Sequence, residues 1–241
     1  MIQQLVIENF LSFKDRVTFN MQPGRATKLK NHKAEPVKGN VVLKTAAIFG
    51  ANAGGKSNFI KAIELGKRLV LQGTSNEELI EYKPFRLSPE NKTRDTTLVY
   101  QILCNNKKYE YGFSYNAEKI TEEWLDIITR KTTYHLFKRD NDNTIKMPLL
   151  LKNNNKEEEK QFLQFFAKAT PLKQLFLHEV YSRNIHDNVS DISDIEAIIS
   201  WFSDSLKIIF PDTPYKQGVW LKAADDDGLR IVFKALLKYF D

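Results

Sequence analysis

The chain has 241 residues, 42% hydrophobic and 27% charged, enough to bury one or two ordinary cores without metals or disulfides, which excludes disorder as a whole. Its net charge is +6, and residues 1–44 carry 8 basic against 3 acidic side chains, so the basic excess is local. One cysteine, Cys104, excludes internal disulfides and paired-cysteine zinc, and with no basic leader and no apolar run near the ~18 residues that span a bilayer, a soluble cytoplasmic protein without a membrane partner is expected.

Residues 2–10 and 16–21, IQQLVIENF and RVTFNM, alternate partially and predict a β-hairpin joined by LSFKD. Residues 22–40 are polar, basic and punctuated by Pro and Gly, which predicts a loop. The run VVLKTAAIF, ending at Phe49, has the continuous apolar character of a buried central strand. Phe59, Ile60, Ala62, Ile63, Leu69 and Val70 then recur at helical spacing, predicting a helix from Ser57 to about Leu71. Residues 82–148 are rich in Thr, Tyr, Ile and Phe between Asn and Asp turns, which predicts an antiparallel meander of roughly four strands. Within it Tyr109, Tyr111, Phe113 and Tyr115 alternate with Glu110, Gly112 and Ser114, the pattern of one buried sheet face.

The segment KNNNKEEEK at 152–160 reads as a solvated connection leading into a helix through QFLQFFAKA. Ile192, Ile195, Ile198, Ile199, Phe202, Leu206 and Ile209 predict an amphipathic helix over 191–210, stopped by Pro211. Asp225, Asp226 and Asp227 precede an apolar stripe from Leu229 to Phe240 and fit the positive N-terminal end of a last helix better than a divalent-ion site. That helix meets no stop signal by Asp241. The expected organisation is a mixed α/β chain with a glycine-loop lobe at 1–81, a β subdomain at 82–150 and a helical region at 151–241.

Gly50-Ala51-Asn52-Ala53-Gly54-Gly55-Lys56-Ser57 fits G-x-x-x-x-G-K-[ST], the phosphate-binding P-loop. The glycines let successive N–H groups turn into one concavity, and the helix that follows adds its positive end beneath the same anion. Lys56, the residue assigned a catalytic role, supplies a mobile charge to β- and γ-phosphates, and the Ser57 hydroxyl is a ligand for Mg²⁺. A turn that binds nothing is the alternative, but folding alone does not ask for Lys-Ser there. An acidic residue at the end of an apolar strand should accompany the loop. WLDI at 124–127 is too short a run, SDISDIEAII has helical spacing, and no LSGGQ-like turn follows.

FGANAGGKSN (49–58), preceded by IENFLSFKD (7–15), resembles the ABC-type ATPases of the SMC, RecF and OLD group. More narrowly, it is similar to the AAA family ATP-binding proteins of bacterial phage-defence and abortive-infection systems. The resemblance implies an ABC-type P-loop N-terminal lobe carrying an antiparallel β meander insertion and a helical arm. It implies ATP and Mg²⁺ as cofactors, held by Gly50, Ala51, Asn52, Ala53, Gly54, Gly55, Lys56, Ser57 and Asn58, with the hairpin's N-F-x-S-F-like string beside the nucleotide. It also implies an ATP-sandwich dimer controlling an effector, a nuclease or toxin. The serine-glycine signature, acidic strand and switch histidine of such families lie in a C-terminal half, so the chain reads as an N-terminal portion that lacks the parts needed for turnover. A Q-loop glutamine is expected, and Gln72, Gln101, Gln164 and Gln174 stand unranked.

Two other readings stay open. A complete small P-loop kinase or NTPase would need its metal-positioning carboxylate among Asp126, Asp191, Asp194 and Glu196. A nucleic-acid-binding module would use Arg25, Lys28, Lys30, His32, Lys33 and Lys38 in the 22–40 loop and treat the glycine turn as an anion site; a merely solvated loop is the alternative. His32, His135, His178 and His186 lack metal-ligand spacing and read as structural or surface residues, and Cys104 as a small buried hydrophobe.

Overall fold

The computed structural model describes residues 1–25, 29–75, 78–154 and 156–210, with positions 228 and 231. Lys28, Pro211, Asp225, Asp226, Asp227 and the stripe residues Leu229, Val232, Phe233, Leu236, Leu237 and Phe240 lie outside the described residues. Met1–Leu206 is one unit and Lys207–Asp241 another, and the sheet and helices below all belong to the first.

Strands β1 (Ile2–Glu8) and β2 (Val17–Asn20) form the expected hairpin. A meander follows further along: β5 (Thr96–Cys104), β6 (Lys107–Tyr115), β7 (Ile120–Ile128) and β8 (Thr133–Arg139), with the short β9 (Ile145–Lys146) at its end. All pair antiparallel in one seven-stranded sheet of order β2-β1-β5-β6-β7-β8-β9. The hairpin assigned to one lobe and the meander assigned to another therefore share a sheet, because β1 takes β5 as its second neighbour. Tight turns set the register: Asn105 and Asn106 both adopt positive φ, the backbone that a two-residue hairpin turn requires.

The expected loop at 22–40 is only partly a loop. Lys33–Val37 is a strand, β3, which pairs with β4 (Asn40–Leu43) across a turn at Lys38-Gly39. Val37 and Val42 pack with Met21 and Leu103, which explains why a basic segment is strand: alternate residues find an apolar seat. The expected buried strand through Phe49 is corrected in the same place. Only Asn40–Leu43 is strand, residues 44–49 have no regular structure, and Phe49 is 90% exposed. A fully buried strand needs neighbours on both edges, and the pairing that β4 finds is with β3 alone.

Helix α1 (Lys56–Leu71) packs Ala62, Leu65, Leu69 and Val70 against the sheet, each large apolar side chain contributing about 1.5–3 kcal/mol. On the sheet side Leu5, Ile7, Tyr100, Tyr109, Tyr111, Phe113, Tyr115 and Phe137 are all buried, as the alternation in the sequence predicts. Helices α2 (Pro148–Asn153), α3 (Glu157–Ala169), α4 (Phe176–Arg183) and α5 (Ser193–Ser200) supply the rest of this core. The helix expected over 191–210 widens after Ser200 into a π turn, with the Leu206 N–H donating to the Trp201 carbonyl. That turn lets the consecutive Trp201 and Phe202 both enter the core, where both rings pack on Tyr100.

The core also holds charge. Glu123 on β7 caps the start of α4, accepting from the N–H groups of Phe176 at 2.6 Å and Leu177 at 3.0 Å and from the Tyr111 hydroxyl at 3.0 Å. Its cross-strand neighbour Arg139 donates to the carbonyls of Pro171, Leu172 and Gln174. Burial pushes the Glu123 carboxyl above the usual range, and the Arg139 guanidinium beside it opposes that rise. Among the described residues no helix is long and apolar enough to cross a membrane.

Candidate functional site at the glycine-rich loop

The sequence Gly50–Ser57 forms a loop that opens directly into α1, as its spacing predicts. Ala53 (φ 61°) and Gly55 (φ 89°) both take left-handed backbone, and Gly55 is the cap residue of the helix. A Cβ at Gly54 would stand 2.9 Å from the Ala51 carbonyl oxygen, and one at Gly55 would meet the Ser12 hydroxyl, so both positions require glycine. The loop closes on itself through Gly54 N–H to Ala51 O at 3.1 Å. Residues Asn52–Asn58 line an open concavity of about 350 Å³.

Lys56 folds back over the loop, its Nζ donating to the carbonyls of Gly50 and Ala51, both at 2.7 Å. Ser57 is exposed at the first turn of the helix. Asn58 Nδ2 donates to Ser12 Oγ at 3.0 Å, which ties the turn after β1 to the base of the loop. A concavity framed by a glycine-dependent turn, a helix N-terminus beneath it and a lysine at its rim fit a phosphate group. In that fit the backbone of 52–58 and Lys56 would hold the phosphates, and Ser57 Oγ would face Mg²⁺.

Sequence reasoning missed how Ser12 is held. Asn9, fully buried with φ 51°, donates to the carbonyls of Asn91 and Arg94 and accepts from the Phe85 N–H and Asn91 Nδ2. Asn91 in turn donates to the Lys14 carbonyl at 3.1 Å. Two asparagines 82 positions apart thus clamp the 9–14 turn, and only a long-range contact reveals the pair. A second feature also escaped the sequence: Phe13, Val17, Phe19, Ile48, Phe49 and Phe59 surround an apolar recess of about 240 Å³ beside Gly54–Lys56.

The candidate carboxylates do not join the loop, whose concavity is lined by 52–58 alone. Asp126 bonds His135 at 2.8 Å, Asp194 takes Lys107 at 2.6 Å and Tyr109, and Asp191 accepts from Ser193. Of the glutamines, Gln101 donates to Glu110, and Gln174 bonds both the N–H and the carbonyl of Thr74. His178 Nδ1 faces the Val70 carbonyl at 3.0 Å at the far end of α1, and His186 lies by Asp187. Cys104 is free and half-buried, and burial raises its thiol. Arg25 and Lys30–Lys33 flank or form the stretch leading into β3.

No protein-family model and no curated protein matches this chain.

Proposed function

We propose that this chain is the nucleotide-binding part of an ABC-type P-loop ATPase, with Mg-ATP as ligand. One observation carries the reading: the glycine-lined concavity opens onto the N-terminus of α1 with Lys56 at its rim and Ser57 in the first turn. Lys56 would leave the Gly50 and Ala51 carbonyls and turn to the β- and γ-phosphates, exchanging two neutral acceptors for charged oxygens. The 52–58 backbone would orient the phosphates, and the Ser57 hydroxyl would complete the Mg²⁺ shell. The recess walled by Phe13, Val17, Phe49 and Phe59 has the apolar character and position to seat the base. When bound, Mg-ATP supplies the differential binding energy by which a two-state assembly is biased.

The same reading places this chain in an ATP-dependent dimer that controls a nuclease or toxin effector in anti-phage defence. That wider role rests on the resemblance of the motifs, whereas the contact of Ser12 with Asn58 supports the ABC-type assignment alone, because the N-F-x-S-F-like string belongs beside the nucleotide in the families this chain resembles.

Mg-ATP binding and turnover, measured on this chain beside Lys56→Ala and Ser57→Ala, test the proposal. Lys56→Ala should weaken binding at least tenfold, or about 1.4 kcal/mol, and Ser57→Ala should remove the Mg²⁺ dependence. Unchanged nucleotide affinity in Lys56→Ala would sink the reading.

A further inference from the structure

Three turns meet at the end of the sheet remote from the glycine-rich loop. The loop lies by Ser12, beyond the Glu8 end of β1. At the opposite strand ends lie the β5–β6 turn at Asn105-Asn106, the segment after β7 at Thr129-Arg130, and the β3–β4 turn at Lys38-Gly39. The packing of Val37 and Val42 on Leu103 holds the last of these over the sheet. Between them lies a cleft of about 310 Å³, whose charged lining is Lys38, Lys107, Lys108 and Arg130, with no carboxylate.

Two of these cations have defined neighbours. The Arg130 guanidinium lies where a Cβ on residue 39 would be, a closeness that Gly39 alone permits at φ 81°. Glu35, the acidic residue nearest in sequence to this turn, is engaged by the Gly39 N–H. Lys107 is paired with Asp194, whereas Lys38, Lys108 and Arg130 form no salt bridge among the described residues. Burial lowers the Lys108 ammonium below the usual lysine range, and the Glu110 carboxylate only partly opposes that shift, so a further anion placed there would favour the charged lysine. Four cations on the lining against the Glu35, Glu110 and Asp194 carboxylates beside it leave the cleft with a positive excess, which its concave shape concentrates.

We propose that this cleft is a second anion site, built for the phosphate groups of a phosphorylated ligand and independent of the glycine-rich loop. Asn40 and Asn106 at the rim add neutral hydrogen-bond donors, and no aromatic ring lines the cleft, so phosphate and not a base is the recognised group. The phosphates could belong to a small free ligand or to a nucleic-acid backbone, and the chemistry of recognition is shared.

The test uses the whole chain with two probes: pyrophosphate, followed by calorimetry, and labelled 20-nucleotide single strands of DNA and RNA, followed by anisotropy at 50 and 200 mM salt. Each is measured in the Lys56→Ala background, to silence the glycine-rich loop, with and without Lys38→Glu/Arg130→Glu. The expected result is a loss of about tenfold or more in affinity on charge reversal, with a milder loss in Lys38→Gln/Arg130→Gln and an unchanged thermal midpoint. Pyrophosphate bound and strands not bound identifies a small ligand. Strands bound with a log-log salt slope of about 3, consistent with four cations on a single strand, identify a backbone. Affinity for both probes that is absent, or indifferent to both double variants, overturns the proposal. Because the loop is disabled throughout, the outcome is separate from the fate of the ATP reading.

Discussion

The buried Tyr100 hydroxyl lies against Gly66 of α1, in the space a Cβ there would occupy, and it has no hydrogen-bond partner among the described residues. Helix α1 thus approaches the sheet closely because a mid-helix residue lacks a side chain, and the closeness costs one unpaired hydroxyl. Gly66→Ala should destabilise by about 1–3 kcal/mol from overpacking, although alanine is the better helix former by about 1 kcal/mol. Tyr100→Phe alone should be neutral or slightly stabilising, since it removes an unsatisfied polar group. The double variant should recover at least half the Gly66→Ala loss, as read from urea midpoints, because the ring carbon stays close while the hydroxyl is gone.

Asn9→Ala should cost about 2–4 kcal/mol. It takes the acceptor from the Phe85 N–H and from Asn91 Nδ2, leaves the Asn91 and Arg94 carbonyls with only the Tyr82 hydroxyl, and removes a residue type that tolerates positive φ. Since the same turn carries Ser12 to Asn58, nucleotide affinity should fall with it, whereas a surface substitution such as Lys14→Ala should change neither quantity.

Arg139→Met should destabilise by about 3–5 kcal/mol, because the carbonyls of Pro171, Leu172 and Gln174 lose their donor and buried Glu123 loses its compensating charge. Chemical denaturation near neutral pH measures this, and a loss under 1 kcal/mol would contradict the role given to Arg139.

Asp140 reports on acid stability. Hydrogen bonds from Lys146 first and Lys138 second hold its carboxyl below the usual range. With the folded pKa below the unfolded one, its contribution is complete above the ordinary carboxylate range and is lost as pH falls through the folded value. Asp140→Asn should therefore lower the thermal midpoint at about pH 6, with the gap to the parent narrowing as pH falls below the ordinary carboxylate range. A gap that widens toward acid would contradict the assignment.

What the sequence disclosed and what it hid follow from the range of the forces involved. Gly50–Ser57 and α1 were legible because glycine, lysine and serine at that spacing impose local geometry, and the meander because Tyr109 to Tyr115 alternate in place. VVLKTAAIF misled, since an apolar run does not say which strand will pair with it; Lys33–Val37 took its first residues, and Phe49 was left in the open. The bounds of α4 were not legible within the expected helical region because His178, polar by type, is buried there against the Val70 carbonyl, 108 positions away. Asn9 and Asn91 looked like ordinary turn residues until their mutual bonding made them a clamp.

The place of β1 between β2 and β5 governs how the chain can assemble. The four strands from β5 to β8 meet through short turns and can zip early, whereas β1 must wait for a partner that lies about ninety residues downstream. The glycine-rich loop and α1 fall inside that long closure. During synthesis the apolar face of α1 therefore has no meander to pack on until β5 has emerged, so the helix that carries the glycine-rich loop is seated only after some hundred residues have been made.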